Sequence, residues 1–238
     1  MNFSDRFQNF LNRFQGIFFN PKLTLKAVSE KPVWVDAFII LLIILTIFSF
    51  VVAPYHQKDQ LQLIKDDVVR QERMGEEALE FLENPPEWYS ILMFIVFPLI
   101  ANIIGFFLPT LIILAMGRMF STDGNYKQIL SVYIHASFVD KILGNAVRLI
   151  LILTRKSVMQ MTTSLALFFP KLETTSTGYT VLSQVDFFQL WLFGILGYGL
   201  SSVFKIEIKK ALIISYGFWF LKSILYIALG LLGRQFGG

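Results

Sequence analysis

Unbroken apolar blocks constrain this chain more than any other feature, because a helix of about 20 apolar residues crosses the hydrocarbon core of a bilayer. The blocks cover residues 33–52, 89–116, 129–154, 187–204 and 211–232. Only 16% of the residues are charged, whereas about a quarter are charged in a typical soluble domain. The sequence therefore predicts an all-α fold, a polytopic membrane helical bundle with about five transmembrane helices.

Several classes of chemistry are excluded by residue usage. The chain has no Cys, so thiol catalysis, thiolate metal sites and disulfides are ruled out. Its two histidines, His56 and His135, are too few for a three-ligand zinc site, and neither a nucleophile elbow nor a phosphate-binding loop is present. The net charge of +4 is spread among the loops. We expect a non-enzymatic protein with no cofactor, no metal and no nucleic-acid partner.

The charges of the loops predict the orientation of the chain. Residues 1–32 carry five basic and two acidic residues, and the turn at 205–210 carries three lysines. The loop at 53–88 has a helical pattern and holds nine acidic against four basic residues. Because Lys and Arg are retained in the cytoplasm, we expect a cytoplasmic segment at 1–32 and a membrane domain at 33–238 with its C-terminus outside. A bacterial inner membrane is the expected location.

The segment at 1–32 begins with an amphipathic pattern. Seven apolar residues fall within an arc of about 120° on a helical wheel: Phe3, Phe7, Phe10, Leu11, Phe14, Ile17 and Phe18. Such a helix either lies in the headgroup layer as an interfacial anchor or packs on the transmembrane bundle of its own chain. The sequence leaves both interpretations open.

Polar residues inside the third block are the candidate functional site. Ser137, Asp140, Lys141, Asn145 and Arg148 lie along one side of the predicted helix, and Lys222 lies within the fifth block. Each charge at the centre of a span costs about 2.5–3.5 kcal/mol, so we expect Lys222 to pair with Asp140 and Arg148 to reach toward the headgroups. The cluster is either a polar pathway or ligand pocket, or a buried ion pair that fixes the bundle.

Small residues in the fourth block predict a helix-packing surface. Gly194, Gly197 and Ser201 recur at the spacing that lets two transmembrane helices approach closely. The loop at 155–186 contains an apolar stretch and then a turn rich in Thr, Ser and Gly. We expect this loop to lie at the membrane interface.

Four passages resemble the Yip1-domain family of membrane proteins. They are Phe19-Asn20-Pro21-Lys22; Gly124-Asn125-Tyr126-Lys127 with Tyr133 and Ser137; Asp186-Phe187-Phe188-Gln189-Leu190-Trp191 with Gly199-Leu200; and Lys209-Lys210-Ala211. The resemblance implies five spans with a cytoplasmic N-terminus. It also implies a role in a larger assembly, because eukaryotic members act in vesicle traffic and some bacterial members accompany ABC exporters.

These observations lead to two functional hypotheses. The first is a non-enzymatic accessory or scaffold subunit, associated with an ABC-type exporter or with trafficking machinery. Its partners would be the lipid bilayer and either another membrane protein, such as a transporter subunit, or a second copy of the chain. The alternative is a small permease or channel that uses the charged residues of spans three and five.

Overall fold

A computed structural model describes residues 3–66, 75–159 and 163–237 of the protein. Its helices, in chain order, are α1 (Phe3–Phe19), α2 (Pro21–Glu30), α3 (Val35–Lys65), α4 (Glu76–Glu83), α5 (Glu87–Gly117), α6 (Tyr126–Ala136), α7 (Asn145–Arg155), α8 (Thr177–Ser183), α9 (Phe187–Phe204) and α10 (Ile208–Gly237). A π-helical turn, Val139–Gly144, joins α6 to α7. No strand occurs in these described ranges beyond one isolated bridge between Ser164 and Asp186. The predicted all-α fold is confirmed.

Within the part of the chain that the structure describes, four helices are long and apolar enough to cross a membrane: α3, α5, α9 and α10 as far as Leu232. Their exposed side chains are large and apolar along whole faces, including Ile39, Ile43 and Ile47 of α3. A soluble protein would not leave such continuous apolar faces in water. These faces contact lipid, and the chain is an integral membrane protein with a helical bundle fold.

The predicted third span at 129–154 differs from the other four. Residues 126–155 form α6, the π turn and α7 in succession, and we call this segment the broken helix. It is not among the helices that are long and apolar enough to cross a membrane, because its regular pieces are short and residues 129–154 within it carry three charges. Residues 129–140 are all buried within the protein. The first half of this segment therefore lies in the interior core of the bundle, whereas α7 has exposed side chains such as Ile150.

The other helices surround the broken helix. The α6 part packs against α2, α5 and α9, while α9 also packs along α10. On the remaining side, α3 contacts α5 and α7. An Asn125–Gln128 capping box begins α6, since each side chain of the box satisfies a backbone N–H group of the first turn.

The loop predicted at 53–88 is largely helical, as expected. Helix α3 continues through Pro54 to Lys65, and α4 follows after residues 67–74, which lie outside the described ranges. Gln57 donates to the carbonyl of Leu82 and thereby joins α3 to α4 at 3.2 Å. Asp59 is buried and accepts hydrogen bonds from Ser157 Oγ at 2.8 Å and from the Val158 backbone at 2.6 Å. This carboxylate holds the segment that follows α7.

The second half of α1 packs on the bundle of its own chain. Phe10 and Phe14 contact Phe138 of the broken helix, with ring centroids 5.7 Å apart in both pairs. Phe18 contacts Trp191 of α9 at 6.3 Å, and Ile17 is buried while Leu11 is partly buried.

The beginning of α1 is less covered. The Phe7 side chain is 50% exposed, and the side chain of Phe3 lies outside the described part of the chain. An ion pair between Arg13 and Asp36 also fastens α1 to the start of α3. Of the two interpretations of this helix, packing on the bundle describes its second half, and an interfacial position for its first half stays a prediction.

Candidate functional site

The centre of the candidate site is a buried ion network around Arg148. Its Nη2 atom lies 2.8 Å from Asp140 Oδ1 and 3.0 Å from Asp186 Oδ1. The Arg148 side chain is only 13% exposed, and both carboxylates are buried more deeply. The guanidinium therefore bridges two anions, one on the broken helix and one at the beginning of α9.

The remaining polar residues of the predicted stripe surround this network. Arg148 Nη1 donates to Asn145 Oδ1 at 2.9 Å, and Lys141 Nζ lies 3.3 Å from Asp140 Oδ2. The Ser137 hydroxyl instead donates to the carbonyl of Tyr133, one turn earlier in the same helix. Four of the five residues of the third block therefore lie together in the structure. The Ser137 side chain bonds instead to the backbone of its own helix.

The π turn brings Asp140 to the same side of the broken helix as Arg148. In a regular α-helix of 3.6 residues per turn, residues eight apart are offset by about 80° around the axis. A π turn advances through a smaller angle per residue because its hydrogen bonds run from i to i+5, so it removes this offset. Gly144 permits the close packing that results, because a Cβ atom there would lie 3.1 Å from the Phe188 side chain of α9.

Backbone N–H groups at the beginning of α9 hold Asp186 in position. Its Oδ1 atom accepts the backbone N–H groups of Phe188 at 2.9 Å and Gln189 at 3.1 Å, so it is the N-cap of that helix. Thr163 donates a further hydrogen bond to its other oxygen. The N-cap carboxylate is held by the helix and neutralised by Arg148.

Lys222 and Arg148 do not make the contacts predicted from the sequence. Lys222 Nζ donates to Gln189 Oε1 at 2.5 Å, and Asp140 pairs with Arg148 and Lys141 instead. Arg148 contacts both carboxylates inside the bundle, which the sequence did not predict. The expectation of an Asp140–Lys222 pair was wrong because Asp186, assigned to a loop, lies at the helix start beside Arg148 and fixes the arginine between two carboxylates.

The small residues of α9 occupy two different contacts. A Cβ atom on Gly194 would lie 3.0 Å from the Tyr216 hydroxyl, and one on Gly197 would lie 2.5 Å from Leu212, so both glycines face α10. The Ser201 hydroxyl donates to the carbonyl of Ile206 at 2.6 Å. Ser201 therefore organises the turn between α9 and α10.

No group of three or more His, Asp or Glu side chains that could hold a metal ion occurs in the described ranges. His135 is buried: its Nδ1 atom is 2.8 Å from the Ser131 carbonyl, and its ring packs on that of Phe138 with the ring centroids 5.3 Å apart. His135 is therefore a core residue of this bundle.

The comparison with protein families decides what kind of bundle this is. A family model described as the Yip1 domain matches residues 16–230, nearly the whole chain. The chain belongs to the Yip1 family. No curated protein and no solved structure matches it.

The passages that resemble the Yip1 family have identifiable structural roles in this Yip1 domain. Gly124 has φ of +80°, and a Cβ atom there would lie 2.6 Å from Val203, so only glycine fits without strain. The residues that follow it, Asn125 and Tyr126, cap and begin α6. Asp186 caps α9, and Pro21 occupies the first turn of α2. The shared residues thus set where the helices of the domain begin.

Proposed function

We propose that this Yip1-family protein is a non-enzymatic accessory or scaffold subunit of a membrane assembly. The observation that carries the proposal is the ion network of Arg148 with Asp140 and Asp186. Its three charges are buried and paired with each other, and they join the broken helix to α9. Removal of one member of such a buried network destabilises a bundle. We therefore infer that these residues hold the helices together and leave the surfaces of the bundle for contacts with partners.

One end of the bundle offers a surface suited to a protein partner. The last turns of α2, the α5–α6 loop and the end of α9 with the turn after it meet there around an open groove. This groove is lined by side chains of both charge signs: Lys26, Glu30, Asp123 and Lys205. The loop is well organised, because Arg118 donates to the carbonyls of Thr122, Asp123 and Gly124 at 2.7–2.8 Å. By the loop charges this end faces the cytoplasm of a bacterial cell, where an ABC-type exporter subunit or a trafficking component would be the partner.

Site-specific crosslinking tests this function. A photo-crosslinking residue replaces Ser202, which lines the groove. In a matched control variant the same residue replaces Gln60, which is exposed near the C-terminal end of α3, at the opposite end of the bundle. After crosslinking in native membranes and purification in mild detergent, we expect Ser202 to capture one defined membrane protein that Gln60 does not capture. Identical products from both positions, or products with lipid alone, would contradict the proposal.

The alternative function is a small permease or channel. It is favoured by two observations: the Lys141 side chain is 38% exposed, and Lys222 pairs with a neutral amide. Lys141 is therefore more accessible to a solute than Arg148, which is 13% exposed, and Lys222 is not held by a carboxylate. The two functions differ in whether the purified protein alone moves an ion across a membrane.

A further inference from the structure

Lys222 lies within a membrane span, and the groups that it contacts directly are neutral. Its Nζ atom donates to Gln189 Oε1 at 2.5 Å and lies over the rings of Phe193 and Tyr226, at 5.4 and 6.0 Å from their centroids. Among the residues that the structure describes, no carboxylate forms an ion pair with it. Basic residues within membrane spans are costly and are normally paired. The amide oxygen accepts a hydrogen bond from the ammonium group and two aromatic rings lie against it, but none of these groups carries a negative charge that would neutralise it.

The charges around Lys222 do not balance. Its electrostatic neighbours are Asp140, Asp186, Lys141 and Arg148. Arg148 contacts both carboxylates, and Lys141 shares Asp140 with it. Three basic side chains thus face two acidic ones, and one positive charge remains. The cluster can accept one more anion.

Lys222 is placed near one surface of the membrane. Gln189, its partner, belongs to the first turn of α9, and α9 has 18 residues, a length of about 27 Å. Since the hydrocarbon core is about 30 Å thick, the first turn of α9 lies close to the headgroups of one leaflet. The neighbouring Tyr226 is 55% exposed, so the site opens sideways toward lipid.

We propose that Lys222 and Lys141 bind the phosphate of an anionic lipid in the leaflet at which α9 begins. The phosphate supplies the negative charge that the cluster lacks, and ammonium–phosphate hydrogen bonds are strong because both groups are charged. A lipid of net charge minus one, such as phosphatidylglycerol, matches the surplus of one positive charge. Phosphatidylcholine carries a cation of its own and does not.

Native mass spectrometry of the full chain in detergent tests this site with three probes: phosphatidylglycerol, phosphatidylcholine and inorganic phosphate. The variants are Lys222→Met, which removes the charge, Lys222→Arg, which retains it, and Lys141→Met. Lys210→Met is the matched control, because Lys210 is an exposed lysine on the same helix. Size-exclusion chromatography reports which variants are folded, and Lys222→Arg and Lys141→Met keep the test decisive if Lys222→Met does not fold.

We expect one phosphatidylglycerol molecule to bind the wild-type protein more tightly than phosphatidylcholine. A surface lysine contributes about 1 kcal/mol to anionic lipid binding, so Lys222→Met and Lys141→Met should each weaken binding by about fivefold or more. Lys222→Arg and Lys210→Met should bind like the wild type.

Equal binding by wild type and Lys222→Met, or equal binding of both lipids, would overturn the proposal. Displacement of the lipid by millimolar inorganic phosphate would overturn its lipid part, and a dimer lost in Lys222→Met would identify a second copy as the counter-charge.

Discussion

At the scale of single residues, Arg148 has the position that matters most to the bundle. A guanidinium presents five donors in a fixed plane, and here they reach Asp140, Asp186 and Asn145 together. A lysine could not form this set of contacts, because its ammonium group is a compact point charge. The network therefore depends on an arginine at this position.

Removal of Arg148 should destabilise the protein strongly. Arg148→Met leaves Asp140 and Asp186 buried without their shared cation, and breaking a buried ion pair from one side costs about 3–5 kcal/mol. Lys127→Met, an exposed lysine on the same broken helix, is the control and should change stability by less than about 0.5 kcal/mol. Thermal unfolding in detergent, followed by tryptophan fluorescence, measures both. Equal stability of the two variants would show that the network does not hold the bundle.

The residues of this site were only partly predictable from the sequence. The helical spacing predicted Lys141, Asn145 and Arg148 on one side of the helix with Asp140 beside them, and the π turn is what brings Asp140 into contact with Arg148. The partner from outside the helix was predicted wrongly. Which helices touch depends on tertiary packing, and the boundary that makes Asp186 an N-cap is a local feature that hydropathy does not reveal.

At the scale of helices, close packing at glycines determines how the elements meet. Gly117 ends α5 against α9, and a Cβ atom there would lie 2.0 Å from the Phe204 ring. The four long spans were predictable because each is a continuous apolar block. The interruption of the third was not, since a π turn changes hydrogen bonding without changing the apolar pattern on which the prediction rests.

Two glycines of α5 provide a matched test of this packing. Gly117→Ala should destabilise the protein by about 1–3 kcal/mol, the usual cost of overpacking a filled core. Gly105→Ala, on the same helix, places its Cβ atom in open space and should be neutral or stabilising by up to about 1 kcal/mol, because alanine favours helix. Thermal unfolding of both variants in one detergent measures the difference. A Gly117→Ala variant as stable as Gly105→Ala would contradict the α5–α9 contact.

At the scale of the whole molecule, the bundle has an interior broken helix with lipid-facing spans around it. From the charge asymmetry of the loops we expect one orientation of this bundle, with the α5–α6 loop and the α9–α10 turn in the cytoplasm and the far end of α3 outside. The α5–α6 loop is organised by Arg118, and it borders the groove proposed for a partner. The orientation determines which compartment holds the partner of the groove near Lys205.

Cysteine labelling tests this orientation, and the chain is well suited to it because it contains no Cys. Single cysteines replace Gln60 in α3 and Glu207 in the α9–α10 turn, both exposed positions. In intact cells we expect an impermeant maleimide to label Gln60→Cys, and to label Glu207→Cys only after the cells are permeabilised. The opposite pattern would invert the topology.

The central claim is that the charges inside the bundle stabilise a scaffold and do not conduct. The most direct measurement is ion flux into liposomes that contain the purified protein alone, followed with chloride-sensitive and pH-sensitive dyes. We predict the same rates as in protein-free liposomes, for the wild type and for Lys141→Ala. A rate that rises with the amount of wild-type protein and is lost in Lys141→Ala would contradict the scaffold function and establish the permease or channel in its place.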